Sequence, residues 1–455
     1  MNFRSKIRDS SGVIPIPLYT KPYTCGGDCI FCPKQSGFPN SYIENEDTLF
    51  AKTHAYSPGA QFNRFRERLG TRGHQNFPFE IILLGGSFSS LDETYRIKYL
   101  SELYRVMLEE DSGDSAFQAG HVQTQCLPSV VAAESRPDQI SQQECEFLRH
   151  VGVSKVELGV QHTLDTVLAF NNRGHDQSAV LRATRLLKDE GFKVGYHVMV
   201  GLPAASFDDD LEMLSSTLWK PEYSPDYLKI YPCVLLANPT FQPQLVRLYE
   251  NRKWKPLEYD KLTTLLQMVS KAVPPYVRIS RVQRQFDSRS IRAGVAPGVM
   301  SKSRIVFPDI RAREVGRLRP RVALESLEPI TQRIIRQAND IFIEALGRDS
   351  VLLGFVRLRE RTEKQLIIRE LRVLGETTSI GSHGTVQGKG LGALLLGTAE
   401  SLALALGTKT ILVNASPGAR PYFRKHGYED TFPAFLEKQL VCKNKVYQEK
   451  VAAWR

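Results

Sequence analysis

Long apolar runs are missing from this 455-residue chain: stretches such as Ile81 to Leu84 fall far short of the roughly 20 apolar residues that a bilayer-spanning helix needs. A membrane-embedded protein is thereby excluded and a soluble one expected. The opening Met1-Asn2-Phe3-Arg4-Ser5-Lys6-Ile7-Arg8-Asp9 lacks the apolar centre of a secretory leader, so a cytoplasmic, reducing environment is expected. Cysteine is sparse, with seven in the chain, and a disulfide-stapled scaffold is not expected. Cys126, Cys145, Cys233 and Cys442 stand singly and read as ordinary buried thiols, whereas Cys25, Cys29 and Cys32 crowd together. Solenoid-length repeats and low-complexity tracts are also lacking. A hydrophobic share of 42% with 24% charged residues is that of a packing chain, not a disordered one.

What is present exceeds one core, since domains usually run to about 100–200 residues. From Val13 to about Val282, short β-branched apolar runs alternate with segments of helical apolar spacing, the pattern of strand-helix units on a parallel sheet. Strands are expected at 12–18, 79–84, 129–133, 155–160, 193–200, 227–231 and 276–282, with helices at 93–109, 177–189, 207–218 and 259–273. Six or seven such units suit a partial (β/α) barrel with its site at the strand C-termini, a doubly wound sheet being the alternative. The pattern restarts after Val322 as a smaller α/β unit. It predicts a helix at 328–344, a hairpin at 351–358 and 366–373, a glycine-rich turn, a helix at 391–406, a strand at 410–414 and a short helix at 419–425. The expected division is therefore 1–285, a basic junction 286–321, and 322–455.

The net charge of +11 is uneven. Between Arg278 and Arg321 stand eleven arginines and Lys302 against Asp287, Asp309 and Glu314, a surplus of nine positive charges. Such near-exclusive use of arginine favours a phosphate-tracking surface over a solvated linker. Arg64, Arg66, Arg68 and Arg72 beside Phe62 and Phe65, and Arg4, Lys6 and Arg8, are expected to extend it.

Cys25, Cys29 and Cys32 sit in a loop loosened by Gly26 and Gly27 after the first expected strand. Zinc would demand a fourth protein ligand, which no neighbouring Cys or His supplies; an iron–sulfur cluster with three ligated irons and one open iron fits better. With Phe31 before the last cysteine, this spacing resembles the radical S-adenosylmethionine superfamily, and Gly85-Gly86-Ser87 resembles the glycine pair that receives the methionine end of that cofactor. Gln387-Gly388-Lys389-Gly390-Leu391-Gly392 opens a helix whose free amides suit a pyrophosphate. It resembles the acetyl-CoA loop of the GNAT acetyltransferases, a dinucleotide site being the weaker reading. Pro421-Tyr422-Phe423 through Tyr428 resembles the end of the same fold, with Tyr422 placed as an acid or orienting donor.

The two signatures together resemble the family of the Elongator catalytic subunit, in a prokaryotic form. Matching stretches include Glu134-Ser135-Arg136-Pro137-Asp138, Glu157-Leu158-Gly159-Val160-Gln161, Asn172-Arg173-Gly174-His175, Leu228-Lys229-Ile230-Tyr231-Pro232 and Arg369-Glu370-Leu371. The resemblance implies a [4Fe-4S] cluster on Cys25, Cys29 and Cys32. It implies S-adenosylmethionine near Gly85, Gly86, Ser87 and Glu134. Acetyl-CoA is implied at Glu370, Leu371, Arg372 and Val373, at Gln387, Gly388, Lys389, Gly390, Leu391, Gly392 and Ala393, and at Tyr422 and Phe423. Glu370 and Tyr422 are the expected catalytic pair, Glu370 being the carboxylate placed to face the thioester. The implied activity is carboxymethylation at C5 of a wobble uridine, with a tRNA anticodon stem-loop and an electron donor as partners. The departures from the family include three residues between the first two cysteines where relatives commonly have about nine, Pro78 in place of a lysine implicated at acetyl-CoA, Arg372 in place of a histidine, and Phe423 in place of a second tyrosine. Pro308 stands where relatives carry a cysteine, so no zinc is expected at that junction. The rival readings are a protein lysine acetyltransferase with a structural radical-type domain and a noncatalytic tRNA-binding protein.

Overall fold

The computed structural model describes residues 12–71, 78–109, 127–283, 286–298, 303, 305–317, 324–362, 365–376, 384–432 and 434–440. Arg4, Lys6, Arg8, Arg72, Cys126, Arg284, Lys302, Arg304, Arg319, Arg321 and Cys442 lie outside them. Seven parallel strands form the first sheet: β1 (Ile14–Tyr19), β2 (Phe79–Leu84), β3 (Val130–Ser135), β4 (Lys155–Gln161), β5 (Lys193–Val200), β6 (Tyr227–Pro232) and, after the short β7 (Leu235–Leu236), β8 (Arg278–Val282). They are ordered β1-β2-β3-β4-β5-β6-β8, a curled half-barrel and not a doubly wound sheet. β7 pairs with β9 (Ile291–Ala293) beside it. No helix among the described residues is long and apolar enough to cross a membrane.

The barrel stays open for a reason written into β1. Ile14, Ile16 and Leu18 are buried against the outer helices, while Pro15, Pro17 and Tyr19 line the lumen. In this parallel pairing the amides of Ile14 and Thr20 bond toward β2, so those of residues 15, 17 and 19 point to the free edge. Proline deletes two of these donors, and the third, Tyr19 N–H, is taken by the Gln61 side chain at 2.7 Å. At the opposite edge, Ile279 N–H is capped by Asp309 at 2.8 Å and Ser280 O accepts from Arg311 at 3.3 Å. Neither edge can pair with the other, and a seam persists between β1 and β8.

The second sheet comprises β10 (Thr331–Gln337), β11 (Asp340–Leu346), β12 (Leu352–Thr362), β13 (Gln365–Val373), β14 (Thr410–Val413), β15 (Glu429–Thr431) and β16 (Phe435–Gln439), with only β13 and β14 parallel among its pairs. The helix expected at 328–344 is instead the β10–β11 hairpin, turned at Ala338 and Asn339 with Gln337 opposite Asp340. Its β-branched isoleucines alternate, Ile341 and Ile343 inward, and sheet packing outweighs the weak helical spacing. The helix Leu391–Ala405 packs its apolar face on this sheet.

This second unit lies across the N-terminal ends of the barrel strands, opposite the C-terminal ends that usually carry a barrel's site. Arg369 grips Asp226 through both terminal nitrogens, at 2.5 and 2.7 Å; Lys188 reaches Asp340 at 2.6 Å, and Ser416 bonds Val131 N and Ser154 Oγ. The junction 286–321, expected as a basic linker, contributes to both cores: Val295 and Phe307 pack in the first, Ile310 and Val315 in the second.

Candidate active site

The C-terminal ends of the strands open on a cavity of about 960 Å³ lined by Cys25, Cys29 and Cys32. Cys29 is buried, and its loop is held by Ile30 N–H on Asn171 O and by Arg173 Nη1, which donates to Cys29 Sγ at 3.6 Å. A donor set of three cysteines fits a cluster with a separate iron for each thiolate and one iron left open.

Beside this loop, Gly85 and Gly86 adopt φ of +154° and +94°, and a side chain on Gly85 would begin 2.2 Å from Thr20 Oγ1. Glu134 accepts from both glycine amides, at 3.3 and 3.2 Å, and from Tyr42 Oη at 2.9 and 3.0 Å. Its carboxylate faces the cavity and can receive an ammonium. Below it the lumen is a column of charge. Glu157 is contacted by Lys229, by Lys155 at 3.0 Å and by His197 at 3.0 Å. Burial alone would raise the Glu157 pKa, but the two lysines and His197 outweigh it and hold the group well below the carboxylate range. Glu134, Glu157 and His197 place ligand atoms within 4.8 Å of one another; the lysines already neutralise Glu157, which argues against a cation there.

Two buried arginines flank the cysteine loop. Arg136 is 2% and Arg173 6% exposed. Arg136 bonds Asp138 and Arg173 O, yet its Nη1 has no partner among the described residues and lies 2.2 Å from where a side chain on Gly27 would start. Arg173 Nη2 donates to Gly159 O at 2.6 Å, and its Nε is likewise orphaned. Burial, with the Arg173 charge beside it, pushes His175 down to about 4 and keeps it neutral at pH 7.

At the other end, Gln387 Nε2 donates to Val373 O at 3.1 Å, and Gly12 packs into the same corner. Gly388 and Gly390 take φ of +79° and +84°, and Gly390 leaves open space at the start of the helix Leu391–Ala405. A side chain on Gly392 would meet Tyr422 Oη at 2.7 Å. That hydroxyl is buried and unpartnered among the described residues, and burial, with Glu400 adding to it, pushes its pKa up to about 12, so it is a ready donor. The glycine cradle, exposed helix amides and idle hydroxyl fit a CoA thioester. Lys389 pairs with Glu325, Ala393 is exposed, and Leu371 and Val373 are half-buried.

Other expectations change. Glu370, expected to face a thioester on a half-exposed strand, is buried and saturated: it accepts from Tyr227 Oη, from Arg357 Nε at 3.0 Å and contacts Arg372 Nε at 3.1 Å. Burial would raise its pKa, but Arg372, Arg357 and Lys193 prevail and hold it below the usual range. It joins the two units across their interface. Phe423 is a core residue packed edge-on against Tyr428. The arginine belt is partly internal: Arg278 and Arg317 share Glu314, Arg313 pairs with Glu344, and Arg311 bonds backbone. Arg281 remains exposed on the cavity wall, and Arg289 and Arg292 are exposed but paired with Asp287 and Glu250. Phe62 and Phe65 are core, and Arg64 and Arg68 pair with Glu46 and Asp47.

The lumen residues Glu157, His197 and Lys229 and the arginines Arg136 and Arg173 had no role by sequence alone. A signal existed: Lys155 and Glu157, Lys193 and His197, and Lys229 and Tyr231 recur at even spacing within otherwise apolar strands, marking a polar lumen face.

The Radical SAM superfamily matches residues 19–216, and the acetyltransferase (GNAT) domain matches residues 321–442. The tRNA uridine(34) acetyltransferase of Dehalococcoides mccartyi is 32% identical over 451 residues, covering 93% of this chain and 96% of that protein. The protein of the same name from Methanocaldococcus jannaschii is 30% identical, over 96% of this chain and 86% of its own. Among solved structures, Methanocaldococcus infernus Elp3 lacking residues 1–46 superposes with a TM-score of 0.76 at 26% identity, covering 94% of this chain and all of that one.

Proposed function

Because this chain belongs to the family of the tRNA uridine(34) acetyltransferases, we propose that it attaches a carboxymethyl group, drawn from acetyl-CoA, to C5 of the wobble uridine of tRNA. The observation that carries this reading is that Cys25, Cys29 and Cys32, with Gly86 and Glu134, open on one cavity large enough for a cofactor and a nucleotide together. Cys25, Cys29, Cys32 and Glu134 would there hold an iron–sulfur cluster and S-adenosylmethionine, which would supply radical chemistry able to activate the acetyl methyl group.

The chain's own residues hold and shield these partners. Cys25, Cys29 and Cys32 would ligate three irons, and Glu134, fixed by the glycine amides and Tyr42, would receive the methionine ammonium. The glycine loop 388–392 would hold the CoA pyrophosphate at the helix N-terminus, and Tyr422 Oη would donate to the thioester. The cavity runs along the open seam, past Pro15, Pro17, Ser280 and Val282. Gly12, just before β1, packs on Val373 O beside the acyl cradle, which supports the seam as the route between the two centres. Arg281 at its rim suits a tRNA phosphate, and unstacked anticodon bases are the accessible part of a tRNA.

A lysine acetyltransferase would need a free general base on the acyl side, and Glu370, saturated by Tyr227, Arg357 and Arg372, is a poor one. The test is anaerobic reconstitution with iron and sulfide, followed by S-adenosylmethionine, trideuteroacetyl-CoA and tRNA. Deuterated 5′-deoxyadenosine and carboxymethylated uridine are expected by mass spectrometry. Acetylated peptide with no deuterium in the nucleoside would favour the lysine acetyltransferase.

A further inference from the structure

The pair of buried arginines at the cysteine loop is not accounted for by ligation or by folding alone. Among the described residues Arg173 touches no carboxylate: it donates to Cys29 Sγ and Gly159 O, and its Nε–H is idle. Arg136 has a single carboxylate, Asp138, and an idle Nη1–H against the loop glycine Gly27. An isolated buried cation is costly unless anionic charge meets it. Among the described residues Asp138 is the one carboxylate paired with these two guanidiniums, and with His175 neutral one positive charge is left without an ion-pair partner. That surplus lies where three thiolates converge, and idle N–H groups beside sulfur are the hydrogen bonds known to tune such centres.

We propose that Arg136 and Arg173 form a cationic collar beneath the cysteine loop, donating N–H bonds to the sulfurs of the bound cluster and raising its reduction potential. The inference rests on the reading of Cys25, Cys29 and Cys32 as ligands of an iron–sulfur cluster. The direction follows from charge. Reduction adds one electron from an external donor to a centre already bearing three thiolates, and nearby cations and sulfur-directed donors stabilise that added charge. Both arginines are positioning residues, acting on the centre and not on the substrate.

The experiment uses the full chain, reconstituted anaerobically and titrated with dithionite while the reduced cluster is followed by electron paramagnetic resonance. Arg173→Gln is expected to lower the midpoint by about a tenfold change in the reduction equilibrium, which is about 59 mV for one electron. Arg173→Lys, which keeps the charge, is expected to recover part of that shift. Asp138→Asn removes the opposing carboxylate and is expected to move the midpoint the other way, upward. Midpoints equal to wild type in both Arg173→Gln and Asp138→Asn, or a downward shift in Asp138→Asn, would overturn the collar. If Arg173→Gln fails to take up iron, the sign of the Asp138→Asn shift decides alone. Iron and sulfide analysis of the wild type tests the underlying reading separately: a colourless wild type overturns the cluster and the collar together, whereas a brown wild type with unmoved midpoints overturns the collar only.

Discussion

Buried arginines occur at both ends of the half-barrel, in opposite states. At the strand N-termini Arg357 and Arg369 share Asp226, Arg357 and Arg372 share Glu370, and Arg359 meets Asp189 and Asp340. At the strand C-termini, among the described residues, Arg173 has no carboxylate and Arg136 has one. The paired set joins two folding units, and each charge is answered within the chain. The underpaired set lines the cavity that also holds Cys25, Cys29 and Cys32. Tyr422 Oη belongs with the second group: buried, protonated and idle. Orphaned atoms alone do not separate the two ends, since Arg369 Nε and Asp340 Oδ1 are also unpartnered among the described residues; the difference is that those two residues keep ion pairs, whereas Arg173 has none there.

The sharpest way to separate the two ends is to disable one and watch the other. Cys29→Ser is expected to remove the brown chromophore and all 5′-deoxyadenosine formation, leaving urea unfolding close to wild type; retained turnover would erase the distinction. Asp226→Ala should do the reverse, leaving cluster content intact but destabilising the interface by about 3 kcal/mol in urea unfolding, because Arg369 would lose its two-pronged partner and keep only the longer contact to Asp340, while Arg357 would keep Glu370 alone. Acidification probes the same pairs. Burial would raise the Asp226 pKa, but Arg369 and Arg357 outweigh it and hold the group low. Its stabilisation is therefore fully present above the unfolded value of about 3.9 and is lost as pH falls from there toward the lower folded value. Unfolding free energies across that acidic range should drop more steeply for wild type than for Asp226→Asn.

On the ligand side the effects are smaller. Tyr422→Phe removes one hydrogen bond of about 0.5–1.5 kcal/mol, so acetyl-CoA affinity by calorimetry should fall about two- to tenfold with no loss of cluster. Arg281→Ala, at the exposed rim, should weaken tRNA binding modestly and reduce the salt slope by about 0.7–0.9, the share of a single phosphate. An unchanged slope would move Arg281 from the ligand-facing set to the merely solvated.

Much of this is readable in the chain. The long strands of the half-barrel announce themselves as apolar β-branched runs, and the Cys25–Cys32 loop and the Gln387–Gly392 turn carry local spacing that chemistry constrains. The β10–β11 hairpin reads as a helix because isoleucines spaced through Thr331–Leu346 satisfy helical and strand periods alike, and only the neighbouring β12 decides between them. The arginine belt reads as surface because a guanidinium looks the same in sequence whether it meets phosphate or Glu314. Glu370 reads as facing the thioester for a similar reason: its saturation by Tyr227, Arg357 and Arg372 joins elements that meet only in the folded molecule.

What the chain determined by itself is local: three thiols within one loop, glycines that permit positive φ at a helix start, prolines that forbid hydrogen bonds along the edge of β1. These act over a few residues and survive in any fold that accommodates them. Which arginines are answered and which are left waiting was decided only by tertiary structure, because the field at a buried charge depends on groups brought within a few ångströms from distant strands.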